Sequence, residues 1–374
     1  TGGMVQVALT GRADDAAAGL ADRLLAAMTD PVIRPALAIY RDFLAYKFAY
    51  LPALRADTAR IAGQYNPHYF AAAEVSGLSN CLLAEACGKR SAPRIVLSRN
   101  AHAAPEGALA RDSCIGYFTA RYPEDLVDEP FLFSPAGAAA ARMALPEKPR
   151  QKLRPLLARP VAAPSPRTSG PRVILLADTY AAWWFPHSYV FLTGDAFVAA
   201  ARALAHAVAA MADTRLVIRA KRKPECDLEA LIKLVAPPPN CEIKMRDVPF
   251  DEDLAQADLL VSFHSTTIEE AIFARKPVLL WGATARYSFL PARDEPPTVE
   301  NRAALYRACD TAQLPGMIQS ILDVHTPRPL DDDELAPYRW PVETPGINAL
   351  AREFVTRVAS YSTSRQKEAP LAPV

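Results

Sequence analysis

The feature that most constrains this chain is a series of short apolar segments in its second half, each followed by a helical pattern. The apolar segments lie at 173–177, 216–219, 241–245, 259–262 and 277–281. The intervening sequence predicts helices at 195–211, 227–235, 252–257 and 267–274. Strands of four or five apolar residues between helices are typical of a parallel sheet covered on both faces. The second half is therefore predicted to form a doubly wound α/β domain.

The first half carries a weaker version of the same rhythm. Helical patterns cover about 35–62 and 78–87, and residues 94–97 (RIVL) have the pattern of a buried strand. This predicts a second Rossmann-like domain.

Proline marks the predicted boundaries between these parts. The chain has 34 prolines in 374 residues, against an average frequency of about 5%. One cluster lies at 145–172 and another at 326–341, and closely spaced prolines interrupt helices. We therefore predict four parts. They are an N-terminal domain (4–145), a linker (146–172), a C-terminal domain (173–325), and a second linker with a final helix that returns to the first domain (326–361).

Composition excludes several classes of protein. With 42 Lys and Arg against 41 Asp and Glu, the chain lacks the basic excess of a nucleic-acid-binding protein. The six cysteines form no C-x-x-C pair, so neither a disulfide scaffold nor a structural zinc site is predicted. No apolar stretch is long enough to span a membrane, and the first residues lack the pattern of a signal peptide. A cytoplasmic protein is predicted.

Polar residues that suit phosphate binding follow two of the predicted strands. Arg219 ends the second predicted strand, and Lys221 and Lys223 follow it. Ser262 ends the fourth, and His264, Ser265 and Thr266 follow it, just before a helix that carries Glu270. Ligands of open parallel sheets bind outside the carboxyl ends of the strands, and hydroxyls and cations hold phosphate. The simpler alternatives are a solvated charge run and an ordinary helix cap.

The two motifs together resemble the donor half of GT-B glycosyltransferases. R-x-K-R-K-P occupies 219–224, and A-D-L-L-V-S-x-x-S-T-x-x-E-E-A-x-x-x-x-K-P-V occupies 257–278. The resemblance is to bacterial surface-polysaccharide enzymes, namely CMP-sugar (Kdo and sialic acid) transferases and teichoic-acid glycerophosphotransferases. It implies that Arg219, Lys221, Lys223, Ser262, His264, Ser265, Thr266 and Glu270 hold the nucleotide and its phosphates. Lys223 stands where these families have a histidine.

The same resemblance implies a fold and a reaction. The fold would be GT-B, with two Rossmann-like doubly wound domains facing a central cleft. The donor would be a nucleotide-sugar, with a CMP-linked sugar favoured, and no metal or other cofactor would be needed. The acceptor would be a surface glycan or a lipid-linked glycan, reached from the cytoplasm or from a peripheral position on the inner membrane.

The acceptor side would contribute the base. In the resembling families an acidic residue or a histidine deprotonates the acceptor hydroxyl, and Glu74 and His102 match these positions loosely. Two alternatives remain open: a nucleotide-sugar 2-epimerase, and a non-catalytic GT-B-like partner of a polysaccharide assembly machine.

Overall fold

The structure is a computed structural model that describes most of the chain. The described residues are 15–29, 33–39, 41–73, 75, 78–97, 104–105, 125–145, 147–156, 161–163, 169–177, 194–220, 227–245, 248–262, 265–281, 287–288 and 292–368. No described helix is both long enough and apolar enough to span a lipid bilayer.

The helices of these residues are α1 (Asp15–Ala27), α2 (Ile33–Ile39), α3 (Arg41–Tyr65), α4 (Leu78–Gly88), α5 (Pro135–Ala144), α6 (Glu147–Gln151), α7 (Gly194–Ala209), α8 (Leu228–Val235), α9 (Phe250–Gln256), α10 (Thr267–Phe273), α11 (Leu314–His325), α12 (Asp332–Leu335) and α13 (Ile347–Glu368). The strands are β1 (Phe70–Ala72), β2 (Arg94–Leu97), β3 (Ala104–Pro105), β4 (Glu129–Leu132), β5 (Arg154–Pro155), β6 (Arg172–Leu176), β7 (Thr214–Ala220), β8 (Cys241–Met245), β9 (Leu259–Ser262), β10 (Val278–Leu280), β11 (Tyr287–Ser288) and β12 (Leu305–Arg307).

The second half of the chain forms a six-stranded sheet in the order β12-β10-β9-β6-β7-β8, and all its pairs are parallel. If the six strands of this sheet are numbered 1 to 6 in chain order, their order in the sheet is 6-5-4-1-2-3. This is the Rossmann arrangement 3-2-1-4-5-6 viewed from the opposite edge. The chain therefore builds outward from β6 in one direction, then crosses back and builds outward in the other.

Alternate residues of each strand pack on opposite faces of this sheet. Ile174 and Leu176 contribute to a core with α7, α8 and α11. Val173 and Leu175 contribute to a second core with α9, α10 and α12. A strand buried on both faces reads as a continuous apolar run, which is why the sequence pattern located these strands well.

A four-stranded sheet of order β1-β2-β4-β5 lies in the first half, and its pairs β2–β4 and β4–β5 are also parallel. The prediction of two parallel α/β sheets is thus confirmed. A separate antiparallel pair joins β11 to β3.

The segment predicted as a linker contains regular structure. It holds α6 and β5, and β5 extends the four-stranded sheet next to β4. Pro155 is compatible with a strand here because β5 is at the edge of its sheet, where a missing N–H breaks no ladder. Local proline density therefore does not exclude a short edge strand.

Contacts within the chain define two compact units. One comprises Thr1–Phe70 with Ser76–Arg94, and the other comprises Ala71–Val75 with Ile95–Val374. In the first unit α1 packs on α3, and Arg41 Nε of α3 lies 2.6 Å from Asp22 Oδ1 of α1.

Within the second unit, α13 contacts the four-stranded sheet. Arg154 of β5 pairs with Glu129 of β4 at 3.1 Å and with Glu353 of α13 at 3.0 Å. The ring of Phe354 on α13 meets the ring of Phe131 on β4 edge-on, with 6.4 Å between centroids. The final helix thus covers β4 and β5.

Candidate functional site

The carboxyl ends of β6 and β9 form the switch point of the six-stranded sheet. These strands are neighbours in space, yet the chain leaves β6 toward one edge and β9 toward the other. In open α/β sheets this divergence leaves a crevice in which ligands bind. The segment after β9 was predicted to hold phosphate, and the strand order brings it to this point.

Ser262, Ser265 and Thr266 occupy the β9 side of the switch point. Ser262 is the last residue of β9 and is fully buried, and its carbonyl accepts a bond from Trp281 N at 3.3 Å. Ser265 is half-buried, and its Oγ accepts a bond from Thr267 N at 3.3 Å. That bond leaves the hydroxyl proton of Ser265 free to be donated. Thr266 is exposed, so its hydroxyl is open to a ligand.

Thr267 links the start of α10 to the end of β6 by a hydrogen bond. It is buried, and its Oγ1 donates a hydrogen bond to the carbonyl of Ala177 at 3.1 Å. Ala177 directly follows β6, and its N–H donates to the carbonyl of Val261 on β9 at 3.1 Å. The sequence pattern did not predict this role for Thr267, because threonine is common at the start of a helix as part of an ordinary cap.

Arg219 has a structural partner that the sequence pattern did not reveal. Its side chain, 2% exposed, places Nε 2.6 Å from Asp253 Oδ2, and Asp253 is equally buried. Nη2 donates to the carbonyl of Val248, and the guanidinium carbon lies 5.3 Å from the ring centroid of Phe250. Asp253 thus balances the charge of Arg219 inside the domain, although the buried Nη1 makes no hydrogen bond to the described residues.

Lys244 completes this cluster. It is the register partner of Arg219 on the neighbouring strand β8, and its Nζ lies 2.6 Å from Asp253 Oδ1. Two cations on adjacent strands would repel each other, and one carboxylate from α9 bridges both. Arg219 is buried against Asp253, whereas the side chain of Lys244 remains 35% exposed. The phosphate contacts of Arg219, Lys221 and Lys223 stay predictions.

Glu270 lies in the middle of α10 and lines a cavity of about 560 Å³. Asp251, Lys276 and Phe273 line the same cavity. The structure thus brings Glu270 together with a residue of α9 and with the end of α10 and the segment that leads into β10. Its predicted contact with a nucleotide stays a prediction.

Several predicted site residues fall outside the described part of the chain. They are Glu74, His102, Lys221, Lys223 and His264. Their assignments stay predictions. Among the residues that the structure describes, no group of three His, Cys, Asp or Glu side chains could hold a metal ion.

Neither a protein-family model nor a curated protein sequence matches this chain. Solved structures do match it. Staphylococcus aureus MnaA in a co-structure with UDP aligns with a TM-score of 0.51 at 12% identity, over 86% of this chain and 81% of that one. A Listeria monocytogenes protein assigned as a UDP-N-acetylglucosamine 2-epimerase aligns with a TM-score of 0.52 at 11% identity, over 87% and 80%.

The chain has the GT-B fold. At these identities the likeness shows the fold alone, so the identity of a ligand has to be argued from the residues. In GT-B terms, the six-stranded sheet is the half to which the resemblance assigned the nucleotide, and its switch point carries Ser262, Ser265 and Thr266.

Proposed function

We propose that this protein binds a nucleotide-sugar at the switch point of the six-stranded sheet and transfers the sugar to a hydroxyl of an acceptor. The observation that carries the proposal is the position of Ser262 at the end of β9, and of Ser265 and Thr266 just after it, beside the end of β6. The strand next to β6 on its other side is β7, which leads into Lys221 and Lys223.

These residues suit the chemistry of phosphate departure. Transfer breaks the bond between the anomeric carbon and a phosphate oxygen, and the nucleotide leaves with the added negative charge. Lysine side chains and hydroxyl donors fixed in place would stabilise that charge as it develops. The bond that forms joins the anomeric carbon to the acceptor oxygen, whose proton passes to Glu74 or His102 as base.

The finer assignments are the donor and the acceptor. The resemblance at 219–224 and 257–278 favours a CMP-sugar, whereas the two similar structures are named for UDP or a UDP-sugar. A surface glycan or lipid-linked glycan is the acceptor class that the resemblance supports. Binding experiments therefore need both pyrimidine nucleotides.

Isothermal titration of CMP, UDP, cytidine and uridine tests the phosphate site. We expect a nucleotide to bind at least about tenfold more tightly than its nucleoside, because charge-assisted hydrogen bonds contribute about 1.5–3 kcal/mol each. The double variant Lys221→Ala/Lys223→Ala should lose that preference and leave nucleoside affinity unchanged.

The matched control removes the same charge elsewhere. Lys152 and Lys233 are both exposed and lie outside the predicted site, so Lys152→Ala/Lys233→Ala should bind like the parent. Equal affinity of the parent for nucleotide and nucleoside would refute the phosphate site. A Lys221/Lys223 variant that binds like its control would show that the basic run is only a solvated surface.

Product analysis separates the three candidate activities. A transferase releases nucleotide only when an acceptor is present. A 2-epimerase changes the configuration of the sugar and consumes no acceptor, and a non-catalytic partner binds the nucleotide-sugar and returns it unchanged. Incubation with CMP- and UDP-sugars, with and without glycan acceptor, gives a different product set for each.

A further inference from the structure

The first unit of the chain holds a cavity of about 400 Å³ between α3 and α4. Its charged lining residues are Arg55 of α3, Glu85 of α4, and Lys89 and Arg90, which directly follow α4. Three cations and one carboxylate give the lining a net positive charge. A concave site of this charge favours an anionic ligand.

The cations of this cavity retain donors for a ligand. Arg55 Nη2 lies 3.3 Å from Glu85 Oε2, and Lys89 Nζ lies 2.8 Å from Glu85 Oε1. One carboxylate thus holds both cations side by side. A guanidinium has five N–H donors and an ammonium has three, so both cations can donate to a further acceptor. Arg90 is exposed, and its guanidinium makes no hydrogen bond or ion pair with the described residues.

An apolar groove of about 550 Å³ adjoins the cationic cavity. It lies between α1 and α3, and its larger lining side chains are Leu20, Phe48 and Leu51. Among the described residues that line the groove, Arg55 is the only charged one. The groove can therefore shield a hydrocarbon chain from water, while its charged end lies at Arg55.

The groove and the cavity meet along one face of α3. Arg55 and Ala59 line both of them. These two residues are four positions apart on the helix and are neighbours on its surface. The groove lies on the α1 side of this face and the cavity on the α4 side, so one ligand can occupy both.

We propose that the first unit binds a lipid phosphate, with the phosphate group on Arg55, Lys89 and Arg90 and the hydrocarbon chain in the groove between α1 and α3. The chain gains by leaving water, and the phosphate gains charge-assisted hydrogen bonds. A free phosphate would leave the groove unused, and an uncharged chain would leave the cations without an anionic ligand. Ser262, Ser265 and Thr266 belong to the second unit, so this inference goes beyond the proposed function and does not depend on it.

Three soluble probes separate the two parts of the ligand. Octyl phosphate carries both parts, methyl phosphate carries the same head group without the chain, and octyl glucoside carries the same chain without the charge. Isothermal titration of the full chain is carried out below the micelle concentration of each probe. We expect octyl phosphate to bind about tenfold or more tightly than either of the others, because each part adds its own contribution.

The double variant Lys89→Ala/Arg90→Ala tests the head-group contacts. It should bind octyl phosphate no more tightly than octyl glucoside, with its affinity for octyl glucoside unchanged. Lys152→Ala/Lys233→Ala removes two exposed cations of the second unit and should bind octyl phosphate like the parent. If Lys89→Ala/Arg90→Ala does not fold, Arg90→Gln replaces it and should lower the affinity for octyl phosphate alone.

The variant Leu20→Gln tests the chain contacts. Leu20 and Leu24 both lie on α1 and are 36% and 39% exposed, but only Leu20 lines the groove. Leu20→Gln should weaken the binding of octyl phosphate and octyl glucoside and leave methyl phosphate unchanged. Leu24→Gln is the matched control and should bind all three probes like the parent.

Four results would overturn the inference: equal affinity for octyl phosphate and methyl phosphate, equal affinity for octyl phosphate and octyl glucoside, a Lys89/Arg90 variant that binds octyl phosphate like its control, or a Leu20 variant that does so. Binding to vesicles of phosphatidic acid without binding of monomeric octyl phosphate would indicate a membrane-surface contact and would also overturn it. Titration of the Lys89/Arg90 variant with CMP and UDP keeps the two proposals apart, since its nucleotide affinity should equal that of the parent.

Discussion

His325 lies 2% exposed at the end of α11, between the side chains of Tyr306 and Arg302. Its Nδ1 is 3.1 Å from Arg302 Nη2, and its Nε2 is 2.8 Å from Tyr306 Oη. Because a guanidinium can only donate, Nδ1 must accept, and the neutral ring carries its proton on Nε2. Burial, followed by the charge of Arg302, lowers the pKa of His325 to about 3.

This histidine should make the fold sensitive to acid. An unfolded chain protonates His325 below a pKa of about 6.5, whereas the folded chain does not do so until about pH 3. The neutral ring of His325 therefore contributes fully to the free energy of unfolding above pH 6.5, and this contribution is lost as pH falls toward 3. Between pH 7 and pH 5 the loss is about 2 kcal/mol. Denaturant unfolding at both pH values should show a smaller acid loss in His325→Gln than in the parent. Equal losses in the two proteins would contradict this assignment.

At the scale of elements, Thr267 joins the start of α10 to the end of β6 through its bond to Ala177. Thr267→Val keeps the shape of the side chain but leaves a buried carbonyl without that donor, so we expect a loss of about 1–3 kcal/mol. Thr267→Ser retains the hydroxyl and should lose less. Thermal and denaturant midpoints of the two variants measure the difference, and a valine variant as stable as the parent would argue against the bond.

The elements that the sequence predicted well are those whose signal is local. β8 and β9 span the same residues as the segments predicted at 241–245 and 259–262, so Ser262 could be placed at the end of a strand. β12 was missed because a three-residue strand with an arginine has no distinct pattern. Asp253 was missed because its role depends on which strands α9 crosses and on the register of Arg219 with Lys244. Neither is encoded in neighbouring residues.

At the scale of the whole molecule, α13 contacts residues far away in the sequence: Arg357 is bonded to Glu129. It covers Phe131, which is 1% exposed, and adds Glu353 and Arg357 to the pair of Glu129 and Arg154. These ion pairs are 20–36% exposed and each contributes little. The apolar contact is therefore the larger part of what α13 adds.

A chain that ends at residue 346 tests this contact. Exposing Phe131 should cost about 2 kcal/mol or more, so the melting temperature should fall and binding of a hydrophobic dye should rise. A chain that ends at residue 368 keeps all of α13 and is the control. Equal melting temperatures and dye binding for the two chains would show that α13 adds nothing to the sheet.

Because β4 and α13 are far apart along the chain, β4 is synthesised well before the helix that packs on it. Arg357 is bonded to Glu129 although 228 residues separate them. A ribosome adds about 5–20 residues per second, so β4 emerges about 10–45 s before the helix that covers it. During that interval Phe131 and the edge of the sheet are open to other nascent chains, and chaperones that shield apolar surface would act on this protein before its last helix is made.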